Sequence, residues 1–178
     1  PVFRPEADYR DGYCQNLAAA REFSLAANIP FWNFFCCFAH GDHTDQTEDQ
    51  LRWQMHASIA HGAKGLLYWT YFPGPPPKPK EGEKPVNSKK AYGVLTVDGK
   101  KSRHYYQAQR LNAAIKNLGP TLMQLTSTGV YRIRPKDDAA AVLKGTPIQN
   151  ITLTDPRDPP HDYLIGAYQH SDGRKAVF

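Results

Sequence analysis

Phe31-Trp32-Asn33-Phe34-Phe35-Cys36-Cys37-Phe38 and Gly65-Leu66-Leu67-Tyr68-Trp69-Thr70-Tyr71-Phe72 are the two stretches on which the fold turns. Both are almost unbroken apolar and aromatic runs, too short for a long buried helix and without the polar alternation of a one-sided strand. They read as strands buried on both faces, as in parallel sheets. Between them, Thr47-x-x-Gln50 is a capping box, in which the Thr47 hydroxyl takes an orphan backbone N–H while Gln50 reaches back. The helix it starts carries Leu51, Met55 and Ile59 at i, i+4 and i+8 and ends at Gly62. Upstream, Asp11-Gly12 opens a helix reaching Ala27, with Tyr13, Leu17, Ala20 and Leu25 near helical spacing and Asn28-Ile29-Pro30 as its stop. Helix, strand, helix, strand is the alternation of an α/β protein with a parallel sheet.

Downstream, residues 73–85 hold six prolines among Lys and Glu and must form an exposed loop. Val94-Leu95-Thr96-Val97 followed by Asp98-Gly99 reads as a short extended piece ending in a turn. A third helix is predicted over 103–118, with Ala108, Leu111, Ile115 and Leu118 on one side and Gly119-Pro120 as its stop. The pattern changes near Thr126: residues 130–133, 148–153, 163–168 and 175–178 read as short strands, with Ser171-Asp172-Gly173 as a hairpin signal. This divides the chain into an α/β part, 1–125, and an antiparallel β part, 126–178. Two parallel strands alone do not make a stable sheet with both faces covered, so a fragment of a larger domain is expected.

Of the 178 residues, 40% are hydrophobic and 12% aromatic, enough for a packed core and too many for a disordered chain. No stretch approaches the roughly 18 consecutive apolar residues of a membrane-spanning helix, so no membrane partner is expected. The net charge of +5 is mild and gathers in two short runs, 78–90 and 100–103. That argues against a nucleic-acid partner, although a basic module for acidic polymers, using 78–101, remains a competing reading. Cys14, Cys36 and Cys37 have neither zinc spacing nor a disulfide framework.

The order of elements resembles the C-terminal part of a (β/α)8-barrel glycoside hydrolase of the family 42 β-galactosidase-like and agarase-like groups, in which a β-sandwich follows the barrel. Three blocks carry the resemblance: Asn16-Leu17 to Pro30-Phe31-Trp32-Asn33-Phe34; Leu51-Arg52-Trp53-Gln54 through His61-Gly62-Ala63-Lys64-Gly65 to Tyr68-Trp69-Thr70-Tyr71; and Tyr105-Tyr106-Gln107 to Leu118-Gly119-Pro120. They span about two thirds of the chain, roughly 13–125. The resemblance implies that 31–37 and 65–71 are barrel strands 7 and 8, the last two βα units of a TIM barrel, with 126–178 the start of an antiparallel β-sandwich. A complete barrel takes ~250 residues, so the N-terminal part of the barrel is the partner this chain is expected to lack. The implied activity is hydrolysis of O-glycosidic bonds in a poly- or oligosaccharide, with none expected from this chain alone. The alternative is a non-catalytic carbohydrate-binding protein on the same scaffold.

Barrel enzymes build their sites at the C-terminal ends of the strands, which points to residues 36–45 and 69–72. Strand alternation puts Leu67, Trp69 and Tyr71 on one face. Trp69 resembles the strand-8 tryptophan that many barrel glycosidases place beneath a sugar, and a flat indole can desolvate a sugar's C–H face; the competing reading is a core tryptophan. Trp32, at the start of its strand, is expected to pack. Retaining hydrolysis requires two carboxyl groups about 5 Å apart. The resemblance implies a Glu nucleophile at the end of strand 7, yet Phe35-Cys36-Cys37-Phe38-Ala39-His40-Gly41-Asp42 contains none, and Asp42 is the only nearby substitute. The candidate substrate-binding residues are therefore Trp69, Tyr71, His40 and Asp42. His40, Asp42, His43 and Asp45 match no short metal motif, and a loop entering a helix is naturally rich in Asp and Thr, so neither a metal nor a cofactor is expected. Glu6, Asp8 and Asp11 read as a charged helix entry, or as remnants of a strand-6 loop. His56 and His61 read as surface or capping residues.

Overall fold

A computed structural model describes residues 10–38, 44–74, 93–151 and 162–178. The chain is mixed α/β. In order it forms α1 (Arg10–Ala27), β1 (Trp32–Cys36), α2 (Glu48–Ala60), β2 (Gly65–Trp69), α3 (Arg103–Leu122), β3 (Leu125–Ile133), α4 (Ala139–Leu143), β4 (Tyr163–His170) and β5 (Lys175–Val177). Among the described residues these strands make two sheets, a parallel pair β1-β2 and an antiparallel sheet β3-β4-β5.

Local chemistry sets most of the boundaries. Helix α1 ends where Asn28 takes a left-handed φ of 52° and the Ile29 N–H returns to the Ser24 carbonyl. The capping box of α2 is present in both directions: Gln50 N–H donates to Thr47 Oγ1, and Thr47 N–H to Gln50 Oε1. Ser102 caps α3 by accepting from the His104 N–H. That helix does not stop at Gly119-Pro120 as predicted. It runs through Pro120 to Leu122, because a proline this close to the end removes a single ladder bond, while the Met123 N–H still reaches the Gly119 carbonyl.

Helix α2 joins β1 to β2, which pair in parallel with Trp32 opposite Gly65 and Cys36 opposite Trp69. The odd-numbered side chains of β1 and the even-numbered ones of β2 face the helices. Phe35, Cys37, Leu51, Met55, Ile59, Val94 and Leu111 form the core there, with Leu66 and Tyr68 against it. Phe35, Leu51 and Met55 are fully enclosed, each worth about 1.5–3 kcal/mol of burial. The expectation that both strands are buried on both faces is not met: Trp32, Phe34 and Trp69 are more than half exposed. Helices cover one face of the pair and nothing described covers the other, so the apolar run signals two apolar faces of which only one is enclosed.

The strand covered on both faces is β4. Leu164 packs with Tyr13, Leu17 and Ala57 of α1 and α2, and Tyr168 donates its hydroxyl to the Ile59 carbonyl. On the other side Ile165 joins Ile133 and Leu143. Strands β4 and β5 form the predicted hairpin around Ser171-Asp172-Gly173. The strand predicted over 148–153 is absent from the described residues 148–151, and 152–153 lie outside the described residues. The short helix α4, capped by Asp138 through its bond from the Ala140 N–H, was not legible in the pattern. The α/β and antiparallel parts touch through Arg21 on Ser127 and Arg132 on Asp11 as well as through α2 and β4.

Candidate functional site

The feature with chemical potential is the uncovered face of β1-β2. The Trp32 indole lies over Gly65, so closely that a Cβ there would come within 2.6 Å of its Cε2. Phe34 meets Trp69 edge to face, with ring centroids 6.2 Å apart and planes at 79°. Trp69 is the last residue of β2, is 53% exposed, and precedes a cis peptide to Thr70. Its indole is therefore not enclosed between strand and helices. Trp32, which was expected to pack, is 64% exposed, because none of the described residues covers its face of the sheet.

Beneath this face the strands are held rigidly. Asn33 donates from Nδ2 to the Tyr13 hydroxyl at 2.7 Å and to Ser58 Oγ at 2.8 Å, tying β1 to α1 and α2. Gln54 Nε2 donates to the Cys36 carbonyl at 2.9 Å. Phe35 and Tyr68 pack edge to face at 4.7 Å. The platform thus stands on a strand tied to both α1 and α2 by side-chain hydrogen bonds.

Past the strand ends, Asp45 accepts from Arg103 at 2.7 Å through Oδ2 and is 2.9 Å from His104 Nε2 through Oδ1. His104 is fully buried, and its Nδ1 is 2.7 Å from Gln107 Oε1. Arg103 also donates to the Gln46 carbonyl. Sequence reasoning singled out Asp45 but missed its partners Arg103 and His104, which follow the α3 cap Ser102. The Oε1 atoms of Gln46 and Gln54 are buried without a hydrogen-bond partner. Cys37 is fully buried in the core, and that burial pushes its thiol up to about 12.

Of the predicted site residues, two are described, Trp69 and Tyr71, and they lie on different surfaces. Trp69 is on the uncovered face. Tyr71 is not beside it, because the strand alternation ends at Trp69; Tyr71 lines a separate groove between β2 and α3, with Tyr68 and Tyr105. His40, Asp42 and His43 lie outside the described residues, as do Glu6 and Asp8. Asp11 is paired with Arg132 and Arg134 of the antiparallel part. His61, expected at the surface or as a cap, is the C-cap of α2 and is buried, its Nδ1 2.8 Å from the Ala57 carbonyl. Desolvation holds its pKa below the usual histidine range. His56 is exposed and meets Phe178 edge to face. Among the described residues no three His, Cys, Asp or Glu side chains converge as metal ligands, and no helix is long and apolar enough to cross a membrane.

Comparison with protein-family models, with curated proteins and with solved structures gave no match.

Proposed function

We propose that residues 1–125 form part of a (β/α)8-barrel glycoside hydrolase acting on a poly- or oligosaccharide, with β1 and β2 as successive barrel strands and 126–178 as the start of an accessory β-sandwich. One observation carries this reading: the parallel strands joined by α2 have their helices on one face only, and the other face is aromatic. A barrel has that arrangement, helices outside and strand side chains inside, with substrate at the C-terminal ends of the strands. Trp69 ends β2 and so stands at that end, where its ring can take the C–H face of a sugar and its N–H a hydroxyl. Trp32, at the opposite end, belongs to the interior filling.

The acid/base pair is not assembled by the described residues. Asp45 is committed to Arg103 and His104, which leaves Asp42 as the candidate from this chain; a second carboxylate about 5 Å away has to come from another barrel strand. The missing Glu after β1 favours the second reading, a carbohydrate-binding protein that kept the aromatic platform without the catalytic pair.

Titration of the chain with neutral galacto- and agaro-oligosaccharides, followed by tryptophan fluorescence, tests the platform. Binding that is lost in Trp69→Ala, with far-UV circular dichroism unchanged, is expected; equal binding by wild type and variant, or none by wild type, rejects it. Aryl glycosides should show no turnover with this chain, and turnover abolished by Asp42→Ala would show a complete enzyme instead of a barrel portion.

A further inference from the structure

Where β1 and β2 begin, Arg21 of α1, His61 at the end of α2 and Lys64 ahead of β2 line one cavity of about 180 Å³, closed on its other side by the first residues of β3. Lys64, half-buried, donates to the Leu122 and Leu125 carbonyls. Arg21 donates through Nε to Ser127 Oγ at 2.8 Å and through Nη2 to the Ser127 carbonyl at 3.2 Å. These bonds cover the free edge of β3, but each cation keeps N–H groups beyond them. Neither has a carboxylate partner among the described residues, and none of the described residues lining the cavity is a carboxylate. Burial lowers the Lys64 pKa with no acid beside it to raise it again.

The stretches outside the described residues join the chain elsewhere. Residues 39–43 and 75–92 follow the opposite ends of β1 and β2. Residues 1–9 precede Arg10, which pairs with Asp162 at the first turn of α1, about 16 Å along the helix from Arg21. Residues 152–161 lie between Asp162 and Ile151, which packs beside Ile133, about 26 Å along β3 from Leu125. The C-termini of α1, α2 and α3 do border the cavity. Each carries about half a negative charge, and backbone N–H groups of Ile29, Gly62 and Ala63 already meet part of it, so the two cations are offset only in part.

His61 adds a third polar group. It is 2% exposed, and its Nδ1–H donates to the Ala57 carbonyl at 2.8 Å. Desolvation, helped by Arg21, keeps the ring neutral at pH 7, so Nε2 holds a lone pair, for which the described residues supply no donor. The two cations are anchored on carbonyls two residues apart on one strand, about 6.5 Å, a spacing that suits two separate anionic groups better than one. Leu25 and Phe31 give the cavity an apolar wall. Its volume is below the roughly 300–1,000 Å³ of sites for drug-sized ligands, which points to a small acid. We propose that this cavity binds a short-chain hydroxy-dicarboxylate, with one carboxylate on Arg21, the other on Lys64 and the hydroxyl donating to His61 Nε2. The site lies at the opposite end of the strands from Trp69 and stands independently of the carbohydrate reading.

Calorimetric titration of the full chain with malate, succinate and lactate tests it. Malate should bind, succinate more weakly because it has no hydroxyl, and lactate more weakly still because it reaches one cation only. Arg21→Gln and Lys64→Gln each remove a charge while keeping an amide donor, and each should weaken malate binding about tenfold. His61→Asn keeps a donor for Ala57 and removes the acceptor, so malate should fall to the affinity of succinate. Trp69→Ala should leave malate binding unchanged, with circular dichroism reporting the fold of each variant. Amide chemical shifts of the wild-type chain give a readout that needs no variant: malate should move residues 61–64 and 125–127. No malate binding, malate no tighter than succinate or lactate, malate binding unaffected by both glutamine variants, or shifts confined to other residues overturns the proposal. Malate binding lost in Trp69→Ala overturns it as well, since the ligand would then sit on the uncovered face. Malate binding as expected, with no Trp69-dependent binding of neutral oligosaccharides, upholds this site and rejects the platform.

Discussion

Strands β1 and β4 reverse what their compositions suggest. β1, Trp32-Asn33-Phe34-Phe35-Cys36, is the more hydrophobic and exposes one face; β4 has Gly166 near its centre, ends in Gln169 and His170, and is covered on both sides. The difference lies in the neighbours. Helix α2 lies against β4 backbone to backbone: a Cβ on Gly166 would come within 2.8 Å of the Ala60 Cα. Nothing described approaches Trp32 and Phe34 from their own side. Hydrophobicity reports what a strand is able to bury, and the packing partner decides what it does bury.

Phe34 and Phe35 give the sharpest test, since they are neighbours in sequence on opposite faces of β1. Phe35→Ala removes a fully buried ring and should cost about 3–5 kcal/mol in urea unfolding. Phe34→Ala, at a position 57% exposed, should stay within about 1 kcal/mol. Similar losses at both positions would mean that the second face is covered in solution, and would break the comparison.

The two glycines sharpen it next. Gly166→Ala forces a methyl group against the α2 backbone, which cannot swing aside, and should destabilise by about 1–3 kcal/mol. In Gly65→Ala the nearest atoms met are those of the Trp32 indole, a side chain that is largely exposed, so a smaller loss is expected, accompanied by a change in tryptophan emission. Equal losses would show that Trp32 is fixed in place.

The smallest effect concerns how the antiparallel part is fastened. Asp162, just before β4, takes two bonds from Arg132, at 2.9 and 2.6 Å. Those bonds hold its carboxyl below the usual carboxylate range. A carboxylate whose pKa is lowered by folding contributes stability above its unfolded pKa and loses it as pH falls through the folded value. Asp162→Asn should therefore cost about 1 kcal/mol at neutral pH, a gap that narrows below about pH 4 as the wild-type carboxylate protonates. Stability measured by denaturant titration at pH 7, 5 and 3 checks this, and a gap of constant size would assign the contribution to packing instead of charge.

The periodic and capping signals were legible because each depends on residues a few positions apart. The Thr47-Gln50 box, the spacing of Leu51, Met55 and Ile59, the stop at Asn28 and the turn at Asp172-Gly173 all involve local hydrogen bonds or one helical face, and they placed four of the nine elements among the described residues close to where they lie. Helix α4 and the extension of α3 through Pro120 were illegible because each turns on a single cap or a single lost bond, too small a signal against the surrounding pattern.

The candidate site divides in the same way. By itself the sequence determined that β1 and β2 are adjacent parallel strands and that aromatic residues gather at their ends, since chain order and composition settle both. Only the tertiary structure decided that Trp32, Phe34 and Trp69 share an uncovered face, that Tyr71 belongs to another groove, and that Asp45 is held by Arg103 and His104 from 58 and 59 positions away. Exposure and long-range pairing are properties of which surfaces meet, and a one-dimensional pattern gives the faces an element offers without saying what arrives to cover them.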